Sequence, residues 1–181
     1  MLGDSLTELN DWTASLPAGA SVRNRGISGD TTDGLLLRMD EIYARKPKAV
    51  FLLIGTNDLW TRETSGRIAS NILGIAGRIR DQSPNSVIFV QTLPPLRGEP
   101  ATWGGEPNRK VREVNALLAK GRGQSGLVVI DVYAAMTDEA GELNAAYTAD
   151  GLHFNAQGYA VWSGLVAAAL SQHGLLATTN D

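Results

Sequence analysis

Few side chains in this sequence have the means for nucleophilic chemistry: Ser5 near the start, Asp150 and His153 near the end, and a second histidine, His173. Ser5 stands in Gly3-Asp4-Ser5-Leu6-Thr7-Glu8, which reads as a strand-to-helix turn. A hydroxyl there meets free N–H groups and the positive end of a helix dipole, both of which favour developing negative charge. The same residues also fit a capping box, with Ser5 and Glu8 satisfying the orphan amides of a first turn. Acyl transfer would also need a base, an orienting acid and donors for an oxyanion. The spacing of Asp150 and His153 lets one turn aim the carboxylate at the imidazole and fix its tautomer. Turn chemistry is the competing reading, because Asp150-Gly151 is itself a turn signal. His173 lies near the end of the last helical pattern, where a cationic side chain suits the dipole, and is read as structural. Candidate oxyanion donors are the N–H groups of Ser5 and Gly29 and the side-chain amide of Asn57. Gly29 can instead serve a positive φ, and Asn57 a cap or turn.

These residues need elements to carry them. Leu6, Leu9, Trp12 and Leu16 have helical spacing, and Pro17-Ala18-Gly19 stops that helix. A short strand is expected over 20–25, leading to the loop Gly26-Ile27-Ser28-Gly29-Asp30. Thr31 to Arg45 reads as one helix with Leu35, Leu36, Met39, Ile42 and Tyr43 on one side. Lys48 to Ile54, Ser86 to Thr92 and Leu127 to Val132 are apolar runs of the kind buried on both faces of a parallel sheet. Between them, Ile68, Ile72, Ile75 and Ile79 mark one helix, and Val111, Val114, Leu117 and Leu118 another. Residues 93–107 are rich in Pro and Gly and break the rhythm. A last helix runs from Ala156 through Tyr159, Trp162, Val166 and Leu170. Strands alternating with helices over 1–181, without repeat or boundary, predict one α/β domain: a parallel sheet with helices on both faces. Ligands in such sheets bind beyond the carboxyl ends of the strands, which singles out the loops beginning at Ser5, Gly26, Gly55, Leu93 and Tyr133.

Composition narrows the classes. The 181 residues carry a net charge of −3, against the basic face of a nucleic-acid binder. Arg62, Arg67, Arg78 and Arg80 are interrupted by Glu63 and Asp81, the pattern of a solvated helix face. The absence of cysteine removes disulfides, thiolate metal sites and a cysteine nucleophile together. No basic-then-apolar leader opens the sequence and no apolar run reaches the ~18 residues of a membrane span, so a cytoplasmic protein is expected.

Four blocks, Gly3-Asp4-Ser5-Leu6, Gly29 within Asn24 to Asp30, Gly55-Thr56-Asn57-Asp58 and Asp150-Gly151-Leu152-His153, resemble the signature blocks of the SGNH (GDSL) hydrolases, in that family's order. The middle of the chain looks most like the platelet-activating-factor acetylhydrolase catalytic-subunit branch. The resemblance implies a flavodoxin-like three-layer α/β/α sandwich about a mostly parallel five-stranded sheet. It implies Ser5 as nucleophile with Asp150 and His153, and an oxyanion hole from Ser5, Gly29 and Asn57. It implies ester hydrolysis through an acyl-enzyme, with no metal and no cofactor. The expected partner is a small-molecule ester: a short acyl or acetyl ester, a lysophospholipid or a thioester. A homodimer is left open. By position, Trp60, Leu93 and Trp103 are expected to line the acyl pocket. Only Met1 and Leu2 precede the first block, so a short first strand is expected. Two rivals remain. A metallophosphoesterase could use Gly3-Asp4 and Asn57-Asp58, yet such sites want several histidines. An inactive flavodoxin-like binding or scaffold domain gives no reason for Asp150 and His153 to accompany Ser5.

Overall fold

The computed structural model describes residues 1–61, 63–98, 106–121 and 127–176. The sheet follows from strands that are apolar on both sides. In β3 (Ala49–Leu53), Val50 and Leu52 enter one core and Phe51 and Leu53 the other. In β4 (Val87–Gln91), Ile88 and Val90 oppose Phe89 in the same way. With β1 (Leu2–Gly3), β2 (Arg25–Gly26) and β5 (Val128–Ile130) these form five strands in the order β2-β1-β3-β4-β5. Every pair is parallel. Phe51 lies opposite Phe89 in the register, and their rings stack at 4.3 Å.

Helices cover both faces of this α/β fold. On one side lie α3 (Thr32–Leu37), α4 (Met39–Arg45), α5 (Ser65–Gln82) and α6 (Pro107–Lys120). Ile68, Ile72, Ile75 and Ile79 of α5 are 0–1% exposed, so its isoleucine stripe is the keel of that layer. Truncating one to alanine would cost roughly 2–5 kcal/mol. On the other side lie α1 (Ser5–Glu8), α2 (Trp12–Ser15), α7 (Val132–Met136) and α8 (Ala156–Gln172). Trp12 and Trp162 meet edge to face at 4.7 Å, joining the N-terminal turn to the last helix.

Local chemistry breaks several of the expected elements. The helix expected over 6–16 is two, because Asp11 Oδ1 accepts from Thr13 N and Ala14 N and starts α2 afresh. The helix expected over 31–45 is interrupted at Arg38, which leaves helical dihedrals (φ −115°, ψ 19°) to turn its side chain toward the strand ends. The strand expected over 20–25 shrinks to Arg25–Gly26, and the one expected over Leu127 to Val132 to Val128–Ile130, because Asp131 caps α7 (Val132–Met136). β1 is short, as expected, and reaches only Leu52 and Leu53 of β3. Beside Ala49, Val50 and Phe51 a cleft of about 900 Å³ opens, at the end of the sheet away from the loops that follow β1 and β3. No helix among the described residues is long and apolar enough to cross a membrane.

Candidate active site

The chain leaves β1 for β2 on one side and later places β3 on the other, so strand order reverses at β1, where parallel sheets bind ligands. Ser5 follows β1 directly. It is not the cap of its helix: Asp4 is, accepting from Leu6 N at 3.0 Å, while Glu8 accepts instead from Ser28 N at 2.7 Å. The capping-box reading of Ser5 therefore fails. Its hydroxyl is left for another partner, and its N–H sits at the open end of α1.

That partner comes from 148 residues away. Ser5 Oγ lies 3.1 Å from His153 Nε2, and His153 Nδ1 lies 2.7 Å from Asp150 Oδ2. The Asp150–His153 loop is held almost entirely by itself. Asp150 Oδ1 accepts from Leu152 N (2.9 Å) and His153 N (2.7 Å). Thr148 Oγ1 donates to the carbonyl of His153 (2.8 Å) and accepts from Gly151 N (2.9 Å). Gly151 has φ +84°, and a Cβ there would stand 2.3 Å from the carbonyl oxygen of Arg97, so only glycine suits both the turn and the neighbour. Arg97 N donates to Gly151 O at 2.8 Å, bracing the loop from the segment after β4. Tyr159 Oη donates to Leu6 O at 2.9 Å, tying α8 to the turn that carries Ser5.

The other two expected oxyanion donors lie just after two further strand ends. Gly29, with φ +78°, follows β2 in an exposed turn closed by Asp30 N to Ile27 O (3.0 Å). Among the described residues the N–H groups of Ser5 and Gly29 enter no hydrogen bond. Asn57 opens the 3-10 turn Asn57–Trp60 after β3 and donates one Nδ2 hydrogen to Asp30 O at 2.8 Å, leaving the second to point elsewhere. The neighbouring Asp58 is 2% exposed and accepts from Thr32 N and Thr32 Oγ1, pinning this turn to the start of α3.

Two carboxyls near the serine are shifted in opposite directions. Burial pushes Asp4 up to about 7, against the opposing pull of its bond from Leu6 N–H; its Oδ2 is buried with no hydrogen-bond partner among the described residues. Partial burial raises Asp150, but bonds from the His153 ring and from the Leu152 and His153 amides outweigh it and hold the carboxyl at about 2. Asp150 is thus ionised wherever an imidazole would work as a base.

Three sequence expectations concerned the acyl pocket. Leu93 requires correction: it is 0% exposed, its Cδ2 packs beneath Gly55 and its N–H bonds Asn115 Oδ1, so it belongs to the core and forms no wall. Trp60 is half-buried against that same core. Trp103 lies outside the described residues. His173 Nδ1 bonds Ala169 O (2.9 Å) and its ring meets Phe89 edge-on, at the far end of α8. Sequence reasoning passed over Thr148, Arg97 and Arg38, and weighed Asp4 only for a metal-dependent rival. Thr148 had a signal, since a threonine two residues before Asp-Gly favours a side-chain-closed turn. Arg38 had none. Among the described residues no group of three or more His, Asp or Glu side chains is gathered as a metal would require.

A profile described as the GDSL-like lipase/acylhydrolase family matches residues 1–161. The platelet-activating factor acetylhydrolase IB subunit beta homolog of Drosophila melanogaster is 32% identical over 117 residues, 64% of this chain and 51% of that protein. The N-acylneuraminate cytidylyltransferase of Escherichia coli is 26% identical over 173 residues, 92% of this chain and 39% of that protein. The chain thus spans about half or less of the curated relatives it matches. Among solved structures, a GDSL-like lipase from Bacteroides thetaiotaomicron superposes with a TM-score of 0.82 at 24% identity, covering 95% of this chain and 86% of that one, a likeness of fold.

Proposed function

We propose, from the premise that the chain belongs to the GDSL-like lipase/acylhydrolase family and is an ester-hydrolysing enzyme, that it cleaves short acyl esters through an acyl-enzyme on Ser5. The observation that carries this reading is the unbroken chain from Ser5 Oγ through His153 Nε2 and Nδ1 to the Asp150 carboxylate. His153 takes the Ser5 proton as Oγ attacks the ester carbonyl, and returns it to the departing alkoxide. Asp150 holds the ring with Nδ1 protonated and stabilises the imidazolium. The tetrahedral oxyanion is met by the N–H groups of Ser5 and Gly29 and the second Nδ2 hydrogen of Asn57. His153 then takes a proton from water, which attacks the acyl carbon, and returns that proton to Ser5 Oγ as the acyl–oxygen bond breaks.

Acetyl esters are the first substrates to try, on the likeness to a platelet-activating factor acetylhydrolase homolog. Lysophospholipids, thioesters and acetylated sugars complete the panel, since fold and triad alone do not choose among them. The test is covalent labelling with a fluorophosphonate, followed by peptide mapping. One adduct, on Ser5 and lost in Ser5→Ala, is expected. An adduct elsewhere, or none alongside no turnover of any ester in the panel, overturns the reading.

A further inference from the structure

The donor side of the site depends on a residue that touches none of the reacting groups. Arg38 stands at the joint between α3 and α4, and its guanidinium is turned inward to the ends of the strands. Nε donates to Asp30 Oδ2 at 2.8 Å and Nη2 lies 2.7 Å from the same oxygen. Nη2 also reaches Gly3 O at 3.1 Å, and Nη1 and Nη2 each reach Arg25 O at 3.2 Å. One side chain therefore holds the last residue of β1, the strand β2 and the loop beyond it.

Asp30 is the second member of the device. It follows Gly29 directly, and its carbonyl oxygen is the acceptor that fixes the Asn57 amide. Its Oδ1 takes Thr31 N at 3.0 Å, so the carboxylate is held from both sides. The pair is largely sheltered, with side chains 21% and 9% exposed. Space is reserved for it: a Cβ on Gly34 would lie 2.2 Å from Asp30 Oδ1. The terminal torsion of an asparagine is broad and two-fold, so an amide left to itself has no single direction. The Asp30 carbonyl supplies that direction, and Arg38 supplies the position of Asp30.

We propose that Arg38 and Asp30 are positioning residues that set the Asn57 amide and the Gly29 N–H relative to Ser5, so that the donors act on one oxyanion. The proposal rests on the reading of Ser5, Gly29 and Asn57 given above. Arg38→Met keeps length and removes the fork. It should lower kcat by roughly 10- to 100-fold with KM little changed, since a donor moved by about an ångström loses most of its transition-state hold. Arg38→Lys, with one ammonium in place of a fork, should recover part of that loss.

The deciding measurement is a double-mutant cycle with Asn57→Ala. Once the Asn57 amide is gone, Arg38→Met should cost no more than about threefold, because its principal object is missing. Equal costs in both backgrounds would make Arg38 a structural brace and overturn the proposal. Removing one partner of a sheltered ion pair strands a charge. If Arg38→Met does not fold, Gly34→Ala replaces it in the cycle, crowding Asp30 with every charge retained. The same coupling to Asn57→Ala is expected, and additivity is again fatal. Arg67→Met, on an exposed pair with Asp33 and Glu63, is the control and should change nothing. Fluorophosphonate labelling of wild type separates the two failures. Wild type that labels at Ser5 and turns over ester, with an additive cycle, defeats this proposal alone. Wild type that does neither defeats the reading beneath it.

Discussion

The two sides of the site are built on opposite plans. The proposed donor side, Ser5 with Gly29 and Asn57, takes one residue from each of three strand ends and is flanked by groups that are mostly buried: Asp4 and Asp58 at 1–2% exposure, with Asp30 and Arg38 largely sheltered. The acid–base side is a single turn. Asp150 and His153 are 54% and 34% exposed and are fastened almost entirely within the six residues 148–153. A long-range arrangement needs burial to keep its parts from drifting. A local one needs only short hydrogen bonds. The donor side should therefore lose rate and stability together when disturbed, and the acid–base side should lose chiefly rate.

The largest effect belongs to the exposed side. His153→Ala should lower kcat by about four orders of magnitude or more, as loss of a triad member does, while Tm stays near that of wild type. The rising limb of kcat/KM with pH should flatten in the same variant and persist in His173→Ala. A limb carried by His173 would dissolve the comparison, since the base would then lie off this turn.

Asn57→Ala should cut kcat by roughly 10²–10³-fold, the loss of a single oxyanion donor. Steady-state kinetics decide it: a change confined to KM would assign Asn57 to ground-state binding.

Asp58→Ala against Asp150→Ala sets the two plans side by side. The first strands the buried Thr32 N–H and should cost roughly 1–3 kcal/mol, several degrees of Tm. The second removes an exposed carboxylate whose bonded amides, those of Leu152 and His153, can turn to water, so it should lower Tm less than the first while lowering kcat far more. Equal melting shifts, read by circular dichroism, would erase the distinction.

Acid and alkali should also part the two sides. Asp4, raised from 3.8 to about 7, binds its proton more readily folded than unfolded. Its contribution is fully present below pH 3.8 and is lost as pH rises through about 7. Asp150, lowered to about 2, contributes above pH 3.8 and loses that as pH falls through about 2. Asp4→Asn keeps the acceptor for Leu6 N–H and removes the titration, so the loss of Tm between about pH 5 and about pH 8 should shrink. An unchanged loss would mean that Asp4 is ionised at both.

The smallest effect tests the bridge between the sides. Tyr159→Phe removes the bond to Leu6 O and should cost about 1 kcal/mol with a rate change under about tenfold. A loss as large as that of Asn57→Ala would give Tyr159 a part in the site beyond tying α8 to α1.

The order of strands and helices, the layers and the parallel sheet were legible in the sequence because period and apolar runs are local quantities. Val50 to Leu53 had to face two cores, and Ile68 to Ile79 had to face one. The Asp150–His153 turn was legible for the same reason. Its partners lie within one turn of chain, so spacing alone brings carboxylate and imidazole together. Three things were not written there. Leu93 was placed by its position after a strand, whereas the packing of α5 and α6 closed over it. Asp4 took the cap that Ser5 and Glu8 seemed made for, because Glu8 found Ser28 from the next strand end. Arg38 broke a helix that its neighbours favoured, because Gly3 O, Arg25 O and the Asp30 carboxylate offered its guanidinium more than another turn would have. Each depends on at least one group 20 or more residues away, and the hydrogen bond between Ser5 and His153 on groups 148 apart. Sequence determined which side chains could do chemistry. Only the closing of the sheet decided which of them meet, because burial, not proximity along the chain, sets who competes for each polar group.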